Sequence, residues 1–147
     1  MKKILMIEDN DTLRKLLGTV VEGLGGITVY GEETCQSAWE AICRGEYRNL
    51  DFIIMDIYTP GVTEEQKEFN GKVLLKRMRE KEGFKTIPII TMSSWPETSL
   101  EQELLWLGAS SHIEKASSLI VDNLSLEVRK ILANNSIRQK AGIRKQE

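Results

Sequence analysis

The sequence is poor in the residues that build zinc sites and disulfide frameworks. Its 147 residues include only two cysteines and one histidine. Cys35 and Cys43 are eight positions apart in a stretch with helical periodicity, which suits neither a metal knuckle nor an obvious disulfide. We therefore expect both cysteines to be buried, reduced thiols, and we expect no site for a soft metal.

The sequence also lacks a large excess of charge of one sign, and it lacks long apolar runs. Twenty basic residues stand against 22 acidic ones, for a formal net charge of −2, which gives no bulk attraction to nucleic acid or anionic lipid. No apolar run approaches the ~18 residues of a membrane span, and the first residues lack the pattern of a signal peptide. We expect a cytoplasmic protein that binds neither nucleic acid nor membrane.

The common enzymatic signatures are missing as well. The sequence contains no Gly-x-x-x-x-Gly-Lys phosphate loop, no Gly-x-Gly-x-x-Gly after its first apolar run, and no catalytic His-Ser or Cys-His signature. A small α/β enzyme, such as a phosphatase or a nucleotide-binding protein, therefore has no support from motifs.

What the sequence does contain is a regular alternation of apolar runs with helical stretches. Unbroken apolar runs are typical of strands buried on both faces. Four such runs are present, and a weaker fifth candidate follows Gly108: they cover residues 4–7, 27–30, 52–55, 87–92 and 112–114. The stretches between and after them have a helical period, as at Leu13, Leu17 and Val21.

This alternation predicts the fold class and the domain limits. Strand and helix alternate five times, which favours an α/β doubly wound sandwich, a five-stranded parallel sheet with helices on both faces. We assign residues 1–133 to one domain, and we interpret residues 134–147 as a frayed helix end or a short basic tail. We expect no helix-turn-helix in residues 134–147, because that motif needs a longer segment.

Polar residues follow the predicted strands at one edge of the sheet, where ligands bind in open parallel sheets. Glu8 and Asp9 end the first strand, Asp56 the third and Ser93 the fourth, while Lys115 follows the fifth. Carboxylates brought this close repel one another by about 4 kcal/mol per pair at ~4 Å and an effective dielectric of about 20. A divalent cation and a lysine would relieve that repulsion. Hard oxygen ligands favour Mg²⁺, which commonly also binds phosphate oxygens.

The same residues suggest phosphoryl transfer to a carboxylate. A carboxylate can act as the nucleophile toward phosphorus and form an aspartyl phosphate. Asp56 is the natural acceptor, because it follows the most apolar strand and precedes a turn. Lys115 and Ser93 would then each contact a phosphoryl oxygen.

Four segments resemble the receiver domain of two-component response regulators, over roughly residues 2–133. They are Ile4-Leu5-Met6-Ile7-Glu8-Asp9-Asn10, Leu50-Asp51-Phe52-Ile53-Ile54-Met55-Asp56 with Pro60, Ile87-Pro88-Ile89-Ile90-Thr91-Met92-Ser93-Ser94, and Gly108-Ala109-Ser110-Ser111-His112-Ile113-Glu114-Lys115. The resemblance implies a flavodoxin-like receiver fold in a stand-alone, single-domain protein.

The resemblance also implies roles for individual residues. Glu8 and Asp9 are the acidic metal pair, and the backbone carbonyl of Tyr58 completes the protein ligands of Mg²⁺. Asp56 is the phosphoacceptor, Ser93 the switch hydroxyl and Lys115 the phosphate-contacting lysine. The donor would be a histidine kinase or a histidine phosphotransfer protein, and the output a protein contact at the face of the fourth helix, fifth strand and fifth helix. We expect no enzymatic turnover beyond Mg²⁺-assisted self-phosphorylation and autodephosphorylation.

The sequence departs from the family pattern in three places. Residues 62–70 are an insertion beside Asp56, which is either a docking element or lid or a tolerated surface loop. Ala116 replaces a proline whose preceding peptide bond is typically cis, so Lys115 could be held differently. His112 stands where the family often has Tyr or Phe that turns inward, and it is either a switch residue or a partly exposed histidine without that role. Together these departures leave open a receiver-like binding module that acts without phosphorylation.

Overall fold

The computed structural model describes residues 1–58, 68–94 and 98–146, with the side chains of residue 98 and residues 135–146 left outside the description. Its described residues contain one parallel sheet in the order β2-β1-β3-β4-β5. The strands are β1 (Lys2–Ile7), β2 (Ile27–Glu32), β3 (Phe52–Asp56), β4 (Ile89–Ser93) and β5 (Ser111–Glu114). All five predicted strands are present, including the weak fifth candidate.

Five helices lie between and after these strands in the described residues. They are α1 (Asp11–Glu22), α2 (Cys35–Cys43), α3 (Gly71–Glu80), α4 (Thr98–Trp106) and α5 (Ile120–Gln146). Polar side chains cap three of them at the N-terminus: Asn10 accepts from the Leu13 amide, Thr34 forms a capping box with Ser37, and Asn70 accepts from the amides of Lys72 and Val73.

The sheet is buried on both faces, as the unbroken apolar runs predict. Leu5 and Ile7 of β1 belong to one apolar cluster with residues of α2 and α3. Ile4 and Met6 point the other way and pack with residues of α1 and α5. Because each fully buried aliphatic side chain contributes roughly 1.5–3 kcal/mol, the two layers hold the strand ends in a fixed arrangement. The predicted doubly wound α/β sandwich is confirmed.

One local prediction needs correction. Cys35 is buried, but Cys43 at the end of α2 is exposed, so the prediction of two buried thiols is wrong for Cys43. Helix α5 continues through residue 134 to Gln146, so no helix end marks the assigned limit at residue 133. Residues 62–67 of the insertion lie outside the described residues.

Among the described residues, none of the helices combines the length and the apolar character that a membrane span needs.

Candidate functional site

The carboxyl ends of β1, β3 and β4 bring three polar side chains into one buried crevice. In the register of the sheet Ile7 lies beside Met55 and Asp56 lies beside Met92, so the residues that end these strands are neighbours. Glu8 and Ser93 have no exposed surface, and Asp56 is 3% exposed. Burial of this kind for two carboxylates requires a positive partner.

Lys115 is that partner in the structure. Its Nζ lies 2.8 Å from both carboxylate oxygens of Glu8 and 2.8 Å from Oδ2 of Asp56. The lysine follows β5, and its backbone amide donates to the Ser93 carbonyl at 2.7 Å, which holds the loop against the end of β4. Lys115 therefore reaches both carboxylates with Ala116, and not proline, as its next residue.

A third carboxylate completes a possible cation site. Carboxylate oxygens of Glu8, Asp9 and Asp56 all lie within 4.8 Å of one another. Glu8 and Asp56 are buried, whereas Asp9 is exposed at the mouth of the crevice. Three hard oxygen donors fit Mg²⁺, which keeps several waters, and they do not fit a soft metal.

The turn after β3 is shaped by a close backbone approach. The Tyr58 amide donates to Oδ1 of Asp56 at 3.1 Å, which orients that carboxylate. A Cβ on Gly71 would lie 2.6 Å from Cα of Ile57, and the Gly71 amide donates to the Ile57 carbonyl at 2.8 Å. Glycine at position 71 thus lets α3 begin directly against the end of β3, after the insertion.

The charges in the crevice shift one another's pKa values. Burial, together with the Asp56 carboxylate, raises the pKa of Glu8 to about 7, although its hydrogen bond with Lys115 acts in the opposite direction. Burial alone would lower the pKa of Lys115, but its hydrogen bonds to Asp56 and Glu8 outweigh that effect and raise it. Lys115 is therefore charged at neutral pH, whereas Glu8 gains or loses its proton near neutral pH.

Two residues that the sequence analysis did not single out support the crevice. Arg14 of α1 donates to the Glu8 carbonyl at 2.6 Å and also pairs with Asp11. Thr91, a buried hydroxyl inside β4, bonds to His112. Thr91 is the one polar residue within the apolar run of β4, and that interruption was an available signal.

His112 lies between two hydroxyls on the β4 side of the crevice. Its Nδ1 is 2.8 Å from Oγ1 of Thr91 and its Nε2 is 3.1 Å from Oγ of Ser93. Burial lowers the pKa of His112, against the opposing influence of Glu101 and Glu114. The ring is half-buried, not freely exposed. Pro60, which belongs to the family segment that contains Asp56, lies outside the described residues.

Comparison with known proteins gives the family. The sequence matches the family model of the response regulator receiver domain over residues 4–124. The chain belongs to this family. Receiver domains are phosphoacceptor signalling domains that generally bind Mg²⁺ at an acidic pocket, and they interact with histidine kinases or phosphotransfer proteins.

Individual relatives and structures agree with the family. The chain is 31% identical over 99% of its length to protein-glutamate methylesterase/protein-glutamine glutaminase 3 of Rhodospirillum rubrum, but it covers only 36% of that protein. It is 25% identical over 80% of its length to the polar-differentiation response regulator DivK of Brucella ovis, and covers 87% of it.

The receiver fold is also seen in a solved structure. The chemotaxis response regulator CheY4 of Vibrio cholerae superposes with a TM-score of 0.71 at 21% identity, over 89% of this chain and 98% of that one. Several relatives are considerably longer than this receiver domain, since the chain spans between about a third and a half of the first three curated proteins it matches.

Proposed function

We propose that the chain is a phosphoacceptor signalling switch in which Asp56 accepts a phosphoryl group from a histidine kinase or a histidine phosphotransfer protein. The observation that supports this most directly is the meeting of the Glu8, Asp9 and Asp56 carboxylates beside the Lys115 ammonium in a receiver fold. In the reaction, a carboxylate oxygen of Asp56 forms a bond to phosphorus while the bond from phosphorus to the donor's imidazole nitrogen breaks. The nitrogen keeps the electron pair.

The chain's own residues have distinct tasks in this proposal. Glu8, Asp9, Asp56 and the backbone carbonyl of Tyr58 hold Mg²⁺, which when bound neutralises charge on the phosphoryl oxygens. Lys115 exchanges part of its contact with Asp56 for a phosphoryl oxygen, and Ser93 donates its hydroxyl to another.

The signal would leave through the face formed by α4, β5 and α5. Three large apolar side chains are exposed on its helices, Leu105 and Trp106 of α4 and Leu126 of α5. An exposed apolar group of this kind suits a protein partner, and a shift between two arrangements of this face would change its affinity. We expect the protein to act in the cytoplasm, where receiver domains typically lie, and to have no turnover beyond its own phosphorylation and dephosphorylation.

Mass spectrometry after incubation with acetyl phosphate tests the acceptor. We expect a gain of one phosphoryl mass that requires Mg²⁺ and is lost in Asp56→Asn. Asp122→Asn is the matched control, because Asp122 is an exposed aspartate in the first turn of α5 and its loss should leave the gain intact. No gain in the unmodified protein would instead favour a receiver-like module that binds its partner without phosphorylation.

Hydrogen exchange tests the output face. Loading the protein with Mg²⁺ and beryllofluoride, which imitates an aspartyl phosphate, should change amide protection in α4, β5 and α5 more than in α2. Equal protection in the free and loaded states would contradict this part of the proposal.

A further inference from the structure

The strand register explains why one imidazole touches two hydroxyls. Thr91 of β4 lies directly beside His112 of β5, and Ser93 lies two residues further along β4 on the same face of the sheet. The His112 ring can therefore contact Thr91 with one nitrogen and Ser93 with the other, at 2.8 and 3.1 Å.

Thr91 determines which ring nitrogen holds the proton. The Thr91 hydroxyl lies 3.3 Å from the Ser111 carbonyl oxygen, which can only accept, so a hydrogen bond between them takes the single hydroxyl proton of Thr91. With that bond in place, the hydroxyl oxygen of Thr91 accepts from Nδ1 of His112. In a neutral imidazole this leaves Nε2 without a proton, as an acceptor only.

The direction of the Ser93 hydroxyl follows from that tautomer. Because Nε2 is an acceptor, the Ser93–His112 bond exists only if Ser93 donates its proton to the ring. A phosphoryl oxygen on Asp56 is also an acceptor. Ser93 has one hydroxyl proton, so a Ser93 that donates to neutral His112 cannot donate to the phosphoryl group at the same time.

We propose that His112 is a positioning residue for Ser93, and that phosphorylation of Asp56 is coupled to the uptake of one solvent proton by Nε2 of His112. Once protonated, Nε2 donates to Ser93, and the Ser93 hydroxyl turns to donate to the phosphoryl oxygen. Thr91 is the second positioning residue, because it sets the tautomer that makes the proton necessary. This inference rests on the proposed phosphoacceptor function and deepens it.

The surrounding charges are consistent with a ring that is neutral without phosphate and protonated with it. Among the described residues, Glu101 of α4, Glu114 of β5 and Glu127 of α5 line one cavity with His112, and Glu127 is paired with Lys130 at 3.2 Å. Burial now outweighs Glu101 and Glu114 and lowers the pKa of the ring. A phosphoryl group would add a charge of about −2 beyond Ser93 and favour the imidazolium.

The sole histidine of the sequence makes a direct test possible, because the imidazole resonances need no assignment. We would follow the ring ¹H and ¹⁵N signals by NMR from pH 5 to 8, in the free protein and in the protein loaded with Mg²⁺ and beryllofluoride. The expected result is an Nδ1–H tautomer in the free protein and an upward shift of the titration midpoint on loading. An Nε2–H tautomer in the free protein, or a midpoint that stays or falls on loading, would overturn the inference.

Two variants separate coupling from mere packing. Thr91→Val keeps the shape of the side chain but removes the acceptor for Nδ1, so the shift of the midpoint on loading should shrink. In His112→Phe the rate of dephosphorylation should depend less on pH than it does in the unmodified protein. The measurement is the phosphoryl lifetime of each protein at pH 6 and at pH 8. An undiminished shift in Thr91→Val, or an unchanged pH profile in His112→Phe, would count against the assigned roles.

The same experiment distinguishes this inference from the proposed function. Binding of beryllofluoride is seen directly in ¹⁹F spectra. If it binds and the His112 midpoint does not rise, the proton coupling is wrong and the phosphoacceptor role stands. If no Mg²⁺-dependent binding occurs, both fail.

Discussion

On one side of the crevice the Lys115 ammonium lies 2.8 Å from carboxylate oxygens of Glu8 and Asp56, whereas on the other side the neutral His112 ring joins the hydroxyls of Thr91 and Ser93. The first group is held by opposite charges, which attract from many directions. The second is held by hydrogen bonds in which each proton has one donor and one acceptor. In the proposed reaction, an arriving phosphoryl group would share the lysine but would have to compete for the serine proton.

This difference separates two properties of a switch. In the function that we propose, the charged side (Glu8, Asp56 and Lys115) would set how strongly the crevice attracts a cation and a phosphoryl group. The neutral side (Thr91, Ser93 and His112) would pass the change on to β5 and to the face beyond it, because a reversed hydrogen bond is a discrete event. Breaking each side in turn should therefore give different kinds of defect.

Lys115→Met should produce the largest effect on stability. It leaves Glu8 and Asp56 buried without a partner, and breaking a buried ion pair costs about 3–5 kcal/mol. The loss, measured by urea denaturation without Mg²⁺, should be larger at pH 8 than at pH 6, because protonation of Glu8 relieves the repulsion at the lower pH. Added Mg²⁺ should recover part of it.

The exposed pair of Lys85 with Glu82 supplies the control for that variant. Their charged atoms are 3.5 Å apart on the surface, so Lys85→Met should change stability little or not at all. If Lys115→Met were as stable as the unmodified protein, the lysine would not be what holds the two carboxylates together.

Thr91→Val breaks the neutral side and should have a smaller effect. The hydroxyl of Thr91 is fully buried and bonds to both His112 and the Ser111 carbonyl. Leaving such buried groups unpaired costs about 1–3 kcal/mol. Mg²⁺ should bind the intact carboxylates of this variant as it binds those of the unmodified protein, so the stability difference between the two proteins should be the same with and without the ion, which urea denaturation would show. A difference that shrank when Mg²⁺ was added would mean that the two sides are not independent.

The sequence was sufficient to predict the charged side. Apolar runs of strand length locate β1 and β3, and the carboxyl ends of parallel strands lie at one edge, so Glu8 and Asp56 had to be neighbours. Lys115 was predicted to lie there because it follows the fifth strand, although that strand is only four residues long. The parallel arrangement of the strands in the sheet places these side chains at one edge, and the pattern of apolar runs in the sequence is enough to predict that arrangement.

The neutral side was harder to predict. His112 was noted as a possible switch residue, but its two hydrogen bonds depend on the residue-by-residue register of β4 and β5 and on a side-chain rotamer. Neither is specified by an apolar run, because a shift of two residues would satisfy the same pattern. The exposure of Cys43 was missed for a similar reason, since it is the last residue of α2 and the helix period does not say where the covering layer stops.

Competition between a proton and Mg²⁺ for the Glu8 carboxylate should give the smallest of the expected effects. It concerns only the charged side. Because burial and Asp56 raise the pKa of Glu8 to about 7, a proton and Mg²⁺ compete for that carboxylate near neutral pH. Mg²⁺ affinity, measured by calorimetry, should fall about tenfold from pH 8 to pH 6, since one proton must be displaced below the pKa.

Two variants make that measurement decisive. Glu8→Gln should bind Mg²⁺ more weakly and lose most of the pH dependence, because the titrating group has been removed. Thr91→Val should keep the pH dependence of Mg²⁺ affinity, because the hydroxyls of β4 do not bind the cation. A pH dependence that survived in Glu8→Gln would mean that Glu8 is not the group at which the proton competes with Mg²⁺.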